Sequence, residues 1–251
     1  MSVIPELTHN ALGEEHAVSL PHYFDALRLA CEKYPPPFGM RFYGDEYRRI
    51  AVDPDWFAFS LMTNSAREGD GASRLWDLAA STQDRFAASQ ITQHAIDESR
   101  HSRLYLTMLG VVFPGAVDET FISEVQGLSP KLTRMSPLIA NMTSPFAHPI
   151  TIDDLIQMNI AEIRTLVHHM LQRPVIMAFC DNDRKAHLVK LLDSLLFDEI
   201  KHITYTAELI EKSAASDKGT KSLVNQLMAD RLRDFNELTE QELGDRVFET
   251  T

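Results

Sequence analysis

Two copies of one short pattern, Asp97-Glu98-Ser99-Arg100-His101 and Asp198-Glu199-Ile200-Lys201-His202, carry the chemistry that this chain can do. In each copy Glu and His are three residues apart, so on a helix both project from one face, one turn from each other. A carboxylate and an imidazole at that spacing have metal-ligand geometry. For a chain of this composition Asp-Glu-x-x-His is expected by chance roughly 0.05 times, so a second copy is hard to attribute to chance. Both copies also place a base before the His.

Each copy has a lone Glu upstream at helical-hairpin distance. Glu68 precedes Glu98 by 30 residues, with the midpoint at Gln83 inside the polar stretch Ser81-Thr82-Gln83-Asp84, which reads as a helix stop followed by an N-cap. Glu162 precedes Glu199 by 37, with the midpoint beside Cys180-Asp181-Asn182-Asp183, the best turn in its neighbourhood. In an antiparallel hairpin the paired Glu residues stand equally far from the turn, about 22 Å in the first hairpin at 1.5 Å per residue, and so face each other. Two such hairpins packed as a four-helix bundle would bring Glu68, Glu98, His101, Glu162, Glu199 and His202 to one level. The alternative is that the four Glu are solvated partners in ordinary helical ion pairs. Their neighbours oppose it: Leu192, Leu195 and Ile203 share the face of Glu199, and Leu155, Met158 and Leu166 that of Glu162.

This doubled pattern, Glu and then Asp-Glu-x-x-His about thirty residues later, resembles the ferritin-like di-iron carboxylate superfamily over roughly residues 55 to 211. The resemblance implies an all-α fold with a ferritin-like four-helix bundle. It implies metal-ligand roles for Glu68, Glu98, His101, Glu162, Glu199 and His202, and supporting hydrogen-bond roles for Asp97 and Asp198. Two iron ions are the implied cofactor, with O2 as co-substrate. Carboxylate-rich ligation with few imidazoles suits iron or manganese better than zinc or copper, and manganese is the second choice. Asp97 and Asp198 each lie four residues before a motif His, where they can orient the imidazoles. Arg100 and Lys201 are either part of that support or plain solvated partners of the aspartates.

His94 is a candidate seventh ligand, one turn before Glu98 on the ligand face. Aminoarene N-oxygenases of this superfamily carry a third imidazole one turn before the Glu of their second motif, a position held here by Leu195. His94 would move the extra imidazole to the other hairpin. The bland alternative is a satisfied core histidine. His168 and His169, nearly two turns beyond Glu162, read as structural, with His169 the one able to line a pocket; Tyr105 reads as packing.

The chain has 251 residues, 44% of them apolar, enough for a sizeable core, and a single domain spanning 1–251 is expected. Its parts are an N-terminal arm and accessory helix (1–50), a bundle (54–213) with a long crossover (113–150), and a C-terminal helix (217–251). Within these, residues 1 to 19 read as a flexible arm, and Pro21 to Tyr34 as an amphipathic helix ended by Pro35-Pro36-Pro37. The first bundle helix starts at Asp53-Pro54, with Gly69 and Gly71 expected to loosen it beside Glu68. The second runs from Asp84 to Leu109 and stops at Gly110. A short helix at Thr120 to Gln126 can sit within the crossover. Ile152 to Phe179, with a kink at Pro174, and Asp183 to Lys212 form the third and fourth. A last helix, Ser222 to Leu243, has Leu223, Leu227, Leu232 and Phe235 available for packing.

A formal charge of −12 argues against a nucleic-acid partner, since phosphate binding needs clustered Lys and Arg. Cys31 and Cys180 make neither a disulfide framework nor a zinc site. With no signal-like start and no long apolar run, a cytoplasmic protein without a membrane partner is expected. The functional expectation is an O2-activating di-iron oxygenase or oxidase. It would act on a small organic substrate with an external electron donor, as a homodimer, with N-oxygenation of an amine in a biosynthetic pathway the favoured subtype. The alternatives are an iron-handling ferroxidase or an oxidase resembling the ribonucleotide reductase small subunit.

Overall fold

The computed structural model describes residues 3–116 and 118–248; side chains are not described at 121, 128 and 242–248. The described residues form ten α-helices and one 3-10 turn, with no strand among them. The fold is all-α. In chain order the helices are α1 (Ile4–Leu12), α2 (Glu14–Ala17), α3 (Pro21–Lys33), α4 (Arg41–Ala51), α5 (Pro54–Ser81), α6 (Arg85–Val112), α7 (Glu119–Leu128), α8 (Ile152–Phe179), α9 (Lys185–Ala214) and α10 (Lys218–Phe248). The last residues of the expected C-terminal segment, 249–251, lie outside the described residues, as do residues 1–2 of the expected arm.

Packing divides the chain into two compact units. One comprises Met1–Tyr47, Thr151–Leu171 and Glu199–Thr251; the other comprises Arg48–Ile150 and Gln172–Asp198. In the second unit α5 and α6 pack side by side as a hairpin. Both start at an aspartate N-cap: Asp53 accepts hydrogen bonds from the amides of Asp55 and Trp56, and Asp84 from those of Phe86 and Ala87. These carboxylates satisfy helix donors that would otherwise lack partners, each worth about 1 kcal/mol. Contrary to the expected stop at Gly110, α6 runs on to Val112. Met108, Leu109 and Val112 are buried, and Phe113 packs against Phe57 and Phe179 with ring centroids 6.2 and 5.2 Å away. Burying those side chains outweighs the roughly 1 kcal/mol that a mid-helix glycine costs.

Gly69 and Gly71 do not loosen α5, which is continuous through them. Gly69 permits a close approach instead: a Cβ there would sit 3.4 Å from Ser102 Oγ, 3.4 Å from Ser129 Oγ and 3.5 Å from Pro130 Cδ. The crossover is fastened to α6 at this point. Ser102 and Ser129 hydroxyls are 2.6 Å apart, Ser99 Oγ donates to Pro130 O and accepts from the Leu132 amide at 3.1 Å, and Arg103 donates to Pro130 O at 3.2 Å. The short helix expected inside the crossover is α7.

In the first unit α3 lies against α8 and α9 through a buried polar chain. Tyr23 Oη donates to Asn159 Oδ1 at 2.8 Å, and Asn159 Nδ2 donates to Thr206 Oγ1 at 2.9 Å and to Ile203 O at 3.2 Å. Burial drives the Tyr23 phenol pKa up despite the bond to Asn159, so it stays a neutral donor. The Glu211 carboxylate accepts from the Tyr23 amide at 2.8 Å in the first turn of α3. In α10, Asn236 Nδ2 reaches Tyr34 O at 3.1 Å, and Arg231 pairs with Asp153 of α8. The residues read as a flexible arm are helical. Ile4, Thr8, Ala17 and Leu20 are buried, and Gly13, at φ +84°, makes the break between α1 and α2 that a side chain would resist. α4 was not anticipated; its buried Tyr43, Tyr47 and Ala51 recur at a helical period of four. α8 has the expected bounds and passes through Pro174 as one helix. α10 buries Val224, Met228 and Leu232, while Leu223, expected to pack, is exposed.

The contact at Gly69 has a measurable consequence. A methyl group there meets ordinary van der Waals contacts and relieves the glycine penalty, so Gly69→Ala should raise stability by up to about 1 kcal/mol. Gly69→Leu must displace Ser102 and Ser129 and should lower it by about 1–3 kcal/mol. Urea unfolding of both variants checks the pair of signs; tolerance of leucine would refute the contact, and a loss with alanine would show the approach too close even for a methyl group.

Candidate metal centre

α5 and α6 bring together the acidic and imidazole groups of the second unit. Ligand atoms of Glu68, Glu98 and His101 all lie within 4.8 Å of one another, and this trio could hold a metal ion. Glu98 and His101 are buried and Glu68 is half-buried. His101 Nδ1 is 3.4 Å from Glu98 Oε1, and His94 Nε2, one turn earlier on α6, is also 3.4 Å from that oxygen. Two donors bound at about 2.1 Å to a shared ion, some 110° apart, stand about 3.4 Å from each other, whereas a direct N–H···O bond is nearer 2.9 Å. The spacing fits ion sharing. Burial pushes the Glu98 carboxyl pKa up, but the polar side chains of Glu68, His101 and His94 close to it and the charge of His101 outweigh burial and hold the carboxyl well below the usual range. Glu98 is thus an ionised group in a nearly dry site.

In the first unit, α8 and α9 bring together the other four groups. His202 Nδ1 lies 3.5 Å from Glu199 Oε2 and 3.8 Å from Glu162 Oε2. His169 Nε2 lies 3.4 Å from Glu199 Oε1. Glu199 and both imidazoles are buried, and the Glu162 side chain is only 13% exposed. Leu155, Leu166, Leu192, Leu195 and Ile203, on the faces that flank Glu162 and Glu199 in sequence, are buried as expected. Every ligand-role residue therefore has at least one partner of the right kind within its own unit, and each unit brings together two carboxylates and two imidazoles.

The supporting aspartates behave differently from the expectation. Asp198 serves the motif His of the other copy: its Oδ2 is 3.4 Å from His101 Nε2, the nitrogen turned away from Glu98. A carboxylate there selects the tautomer that leaves Nδ1 available as a donor to metal. Arg100 is more than a solvated partner. It pairs with Asp198, donates to Ser194 Oγ at 2.8 Å and lies 3.4 Å from Asp97, while Lys201 is exposed. Asp97 accepts from Gln93 Nε2 at 3.1 Å. Tyr105 is buried, in keeping with packing, and His168 bonds to the Tyr43 hydroxyl with its ring stacked on that of Tyr43. His169 was underweighted in the sequence. Its seven-residue spacing from Glu162 places it on the same helical face, but a lone histidine on such a face is usually core. Arg100→Met should therefore lower stability by about 1–3 kcal/mol by leaving buried Asp198 without its cation, and Arg100→Lys should recover only part of this. Thermal unfolding of the metal-free protein measures it; an unchanged midpoint in Arg100→Met would remove this role.

No protein-family model matches this chain, and neither the curated proteins nor the solved structures contain a significant match to it, so the reading of the site rests on its own residues.

Proposed function

We propose that the protein is an O2-activating non-haem di-iron enzyme. In this reading Glu68, Glu98 and His101 ligate one iron and Glu162, Glu199 and His202 the other, within the ferritin-like bundle that the doubled motif implies. The observation that carries it is the burial of ionised Glu98 beside imidazole nitrogens at ion-sharing distance, matched by Glu199 in the other unit. A buried carboxylate costs several kcal/mol unless a cation compensates it, and hard oxygen donors favour iron or manganese. When bound, the two irons supply the redox equivalents and the binding site for O2.

The protein's own residues do the rest. The six ligands set the geometry, and Asp198, held by Arg100, keeps the His101 Nε2 proton and ring orientation in place. The burial of Glu98, His101, Glu199 and His202 keeps water from these ligands. A small organic substrate, an external electron donor and a homodimeric state belong to the proposal, and N-oxygenation of an amine is its favoured subtype because His94 offers a surplus imidazole. No described helix is long and apolar enough to cross a membrane.

Anaerobic loading with Fe(II) followed by elemental analysis should find two ions per chain. Glu98→Ala and Glu199→Ala should each lose one or both, and exchange coupling between the irons should show that both sets serve one centre. Binding of one ion or none overturns the dinuclear reading, and uptake of tens of irons per chain favours storage over catalysis.

His94→Ala separates ligand from packing. As a ligand, His94 changes the Mössbauer and visible spectra of the iron-loaded protein while the fold stays intact. As a packed residue, its loss costs about 1–3 kcal/mol and leaves both spectra unchanged, which would remove His94 and the preference for N-oxygenation.

A further inference from the structure

The crossover of the second unit carries a surface that the metal ligands do not use. Residues 125–152 contain no aspartate or glutamate, where the average of this chain would place about four, and their cations are Lys131 and Arg134, both exposed. Beside them in the chain, four large apolar side chains stand out of the protein: Met135 is 92% exposed, Leu138 42%, Ile139 70% and Met142 81%. The segment is fastened at both ends. Ser99 Oγ holds Pro130 O and the Leu132 amide at one end, and the Asn141 amide donates to Asp77 Oδ1 at 2.7 Å at the other. A backbone tied down in this way keeps its apolar side chains in water, and contiguous exposed apolar groups mark contact sites.

We propose that residues 131–142 form the docking surface for an acidic electron-transfer protein, the external donor of the metal centre. This rests on the di-iron reading above. Charge selects the partner. In a chain of net charge −12, an acid-free stretch with two cations is complementary to an acidic surface. A second copy docked through the same patch would bring four cations together with no acid of the patch to pair them. An anionic membrane calls for clusters of about four to eight basic residues, and this patch has two. Position selects the task. Arg134 Nη2 donates to Gln93 Oε1 at 3.3 Å, Gln93 Nε2 donates to Asp97 Oδ1 at 3.1 Å, and Asp97 lies 3.4 Å from Arg100, which pairs with Asp198 beside His101. Polar contacts thus join the patch to a ligand imidazole. Each ferric ion gains one electron from one reduced partner, which leaves oxidised, so two dockings reduce the centre and the partner makes no covalent bond.

The test combines Lys131→Glu, Met135→Glu and Met142→Glu in the full-length protein, at exposed positions outside the metal ligands and the route from Arg134 to His101. The probe is an acidic plant-type iron–sulfur ferredoxin. Binding of oxidised ferredoxin to the metal-free protein is measured by calorimetry. Reduction of the diferric protein is followed by stopped-flow absorbance, with reduced ferredoxin and, in parallel, with an uncharged reduced phenazine. Expected in the variant are losses of at least about tenfold in ferredoxin affinity and in the second-order rate of reduction by ferredoxin, with phenazine reduction unchanged. Added salt should weaken the wild-type interaction. Wild-type ferredoxin affinity in the variant overturns the proposal, and so does a wild type that binds no ferredoxin. A wild-type dimer that the variant turns into monomers by light scattering overturns it in favour of an interface between copies. Binding to phosphatidylserine vesicles that the variant loses overturns it in favour of a membrane. Should the triple variant lose the wild-type circular dichroism spectrum, Lys131→Gln with Met135→Ser takes its place in the same measurements. A wild type that binds ferredoxin but no iron defeats the di-iron reading and electron delivery with it, whereas a di-iron wild type indifferent to ferredoxin defeats only this proposal.

Discussion

The constraint on which the rest depends is the desolvation of carboxylates. Glu98 and Glu199 are 8% and 1% exposed at their side chains, and each stands in a wall of helix where water cannot hydrate it. Taking one such charge out of water costs several kcal/mol, far more than any single cap or packing contact returns. Compensation has to come from neighbours of opposite character held at short range. The chain supplies these as imidazoles: His94 and His101, at four- and three-residue spacing on its own helix, for Glu98, and His202 from its own helix with His169 from the facing one for Glu199. Helical periodicity alone achieves this, which is why the chemistry sits on long uninterrupted helices and not on loops.

The crossover follows from the same constraint in the second unit. A hairpin whose inner face is charged needs its flank closed, and residues 129–132 do this by bonding to Ser99, Ser102 and Arg103, on the turns adjoining Glu98 and His101. That closure requires the chain to pass close to α5, and Gly69 is the position where it does. One turn earlier Ser65 Oγ donates to Ser102 O at 2.7 Å, tying α5 to α6 beside the glycine.

Much of this was legible in the sequence because the responsible physics is local. Asp53-Pro54 and Asp84 announce helix starts, and the end of α8 follows from the Cys180-Asp181 turn. The proximity of Glu68 to Glu98 follows from hairpin arithmetic, whereas in the second hairpin that arithmetic pairs Glu162 with Glu199 and the contact observed is from Glu162 to His202, one turn further on. What was not legible depends on contacts between distant segments. α6 outruns Gly110 because Phe57 and Phe179 wait for Phe113, and Gly69 is a contact glycine because Ser129 and Pro130 arrive there. The N-terminal segment is helical because Ile4 and Thr8 find a buried environment that their own sequence does not advertise. His169 looked like core for the same reason: its partner lies thirty residues away on another helix.

The two motif copies agree in the residues proposed as ligands and differ in the side chains around them, and the difference has a physical logic. An ion fixes its donors through bond lengths that tolerate few alternatives, so Glu and His recur at the same spacing. The residues behind them have only to hold a ring or a carboxylate still, and several side chains can do that. Arg100 reaches Asp198 and Ser194 with a planar fork that binds two partners, whereas Lys201, a single ammonium on a flexible stem, is exposed. In the first unit the second oxygen of Glu199 meets His169 from α8, and in the second unit His94 comes from the same helix as Glu98. The supports therefore make the two sets unequal although the ligands are nearly equivalent, and unequal stiffness around like donors is a route by which one protein can hold two ions of the same element with different affinity.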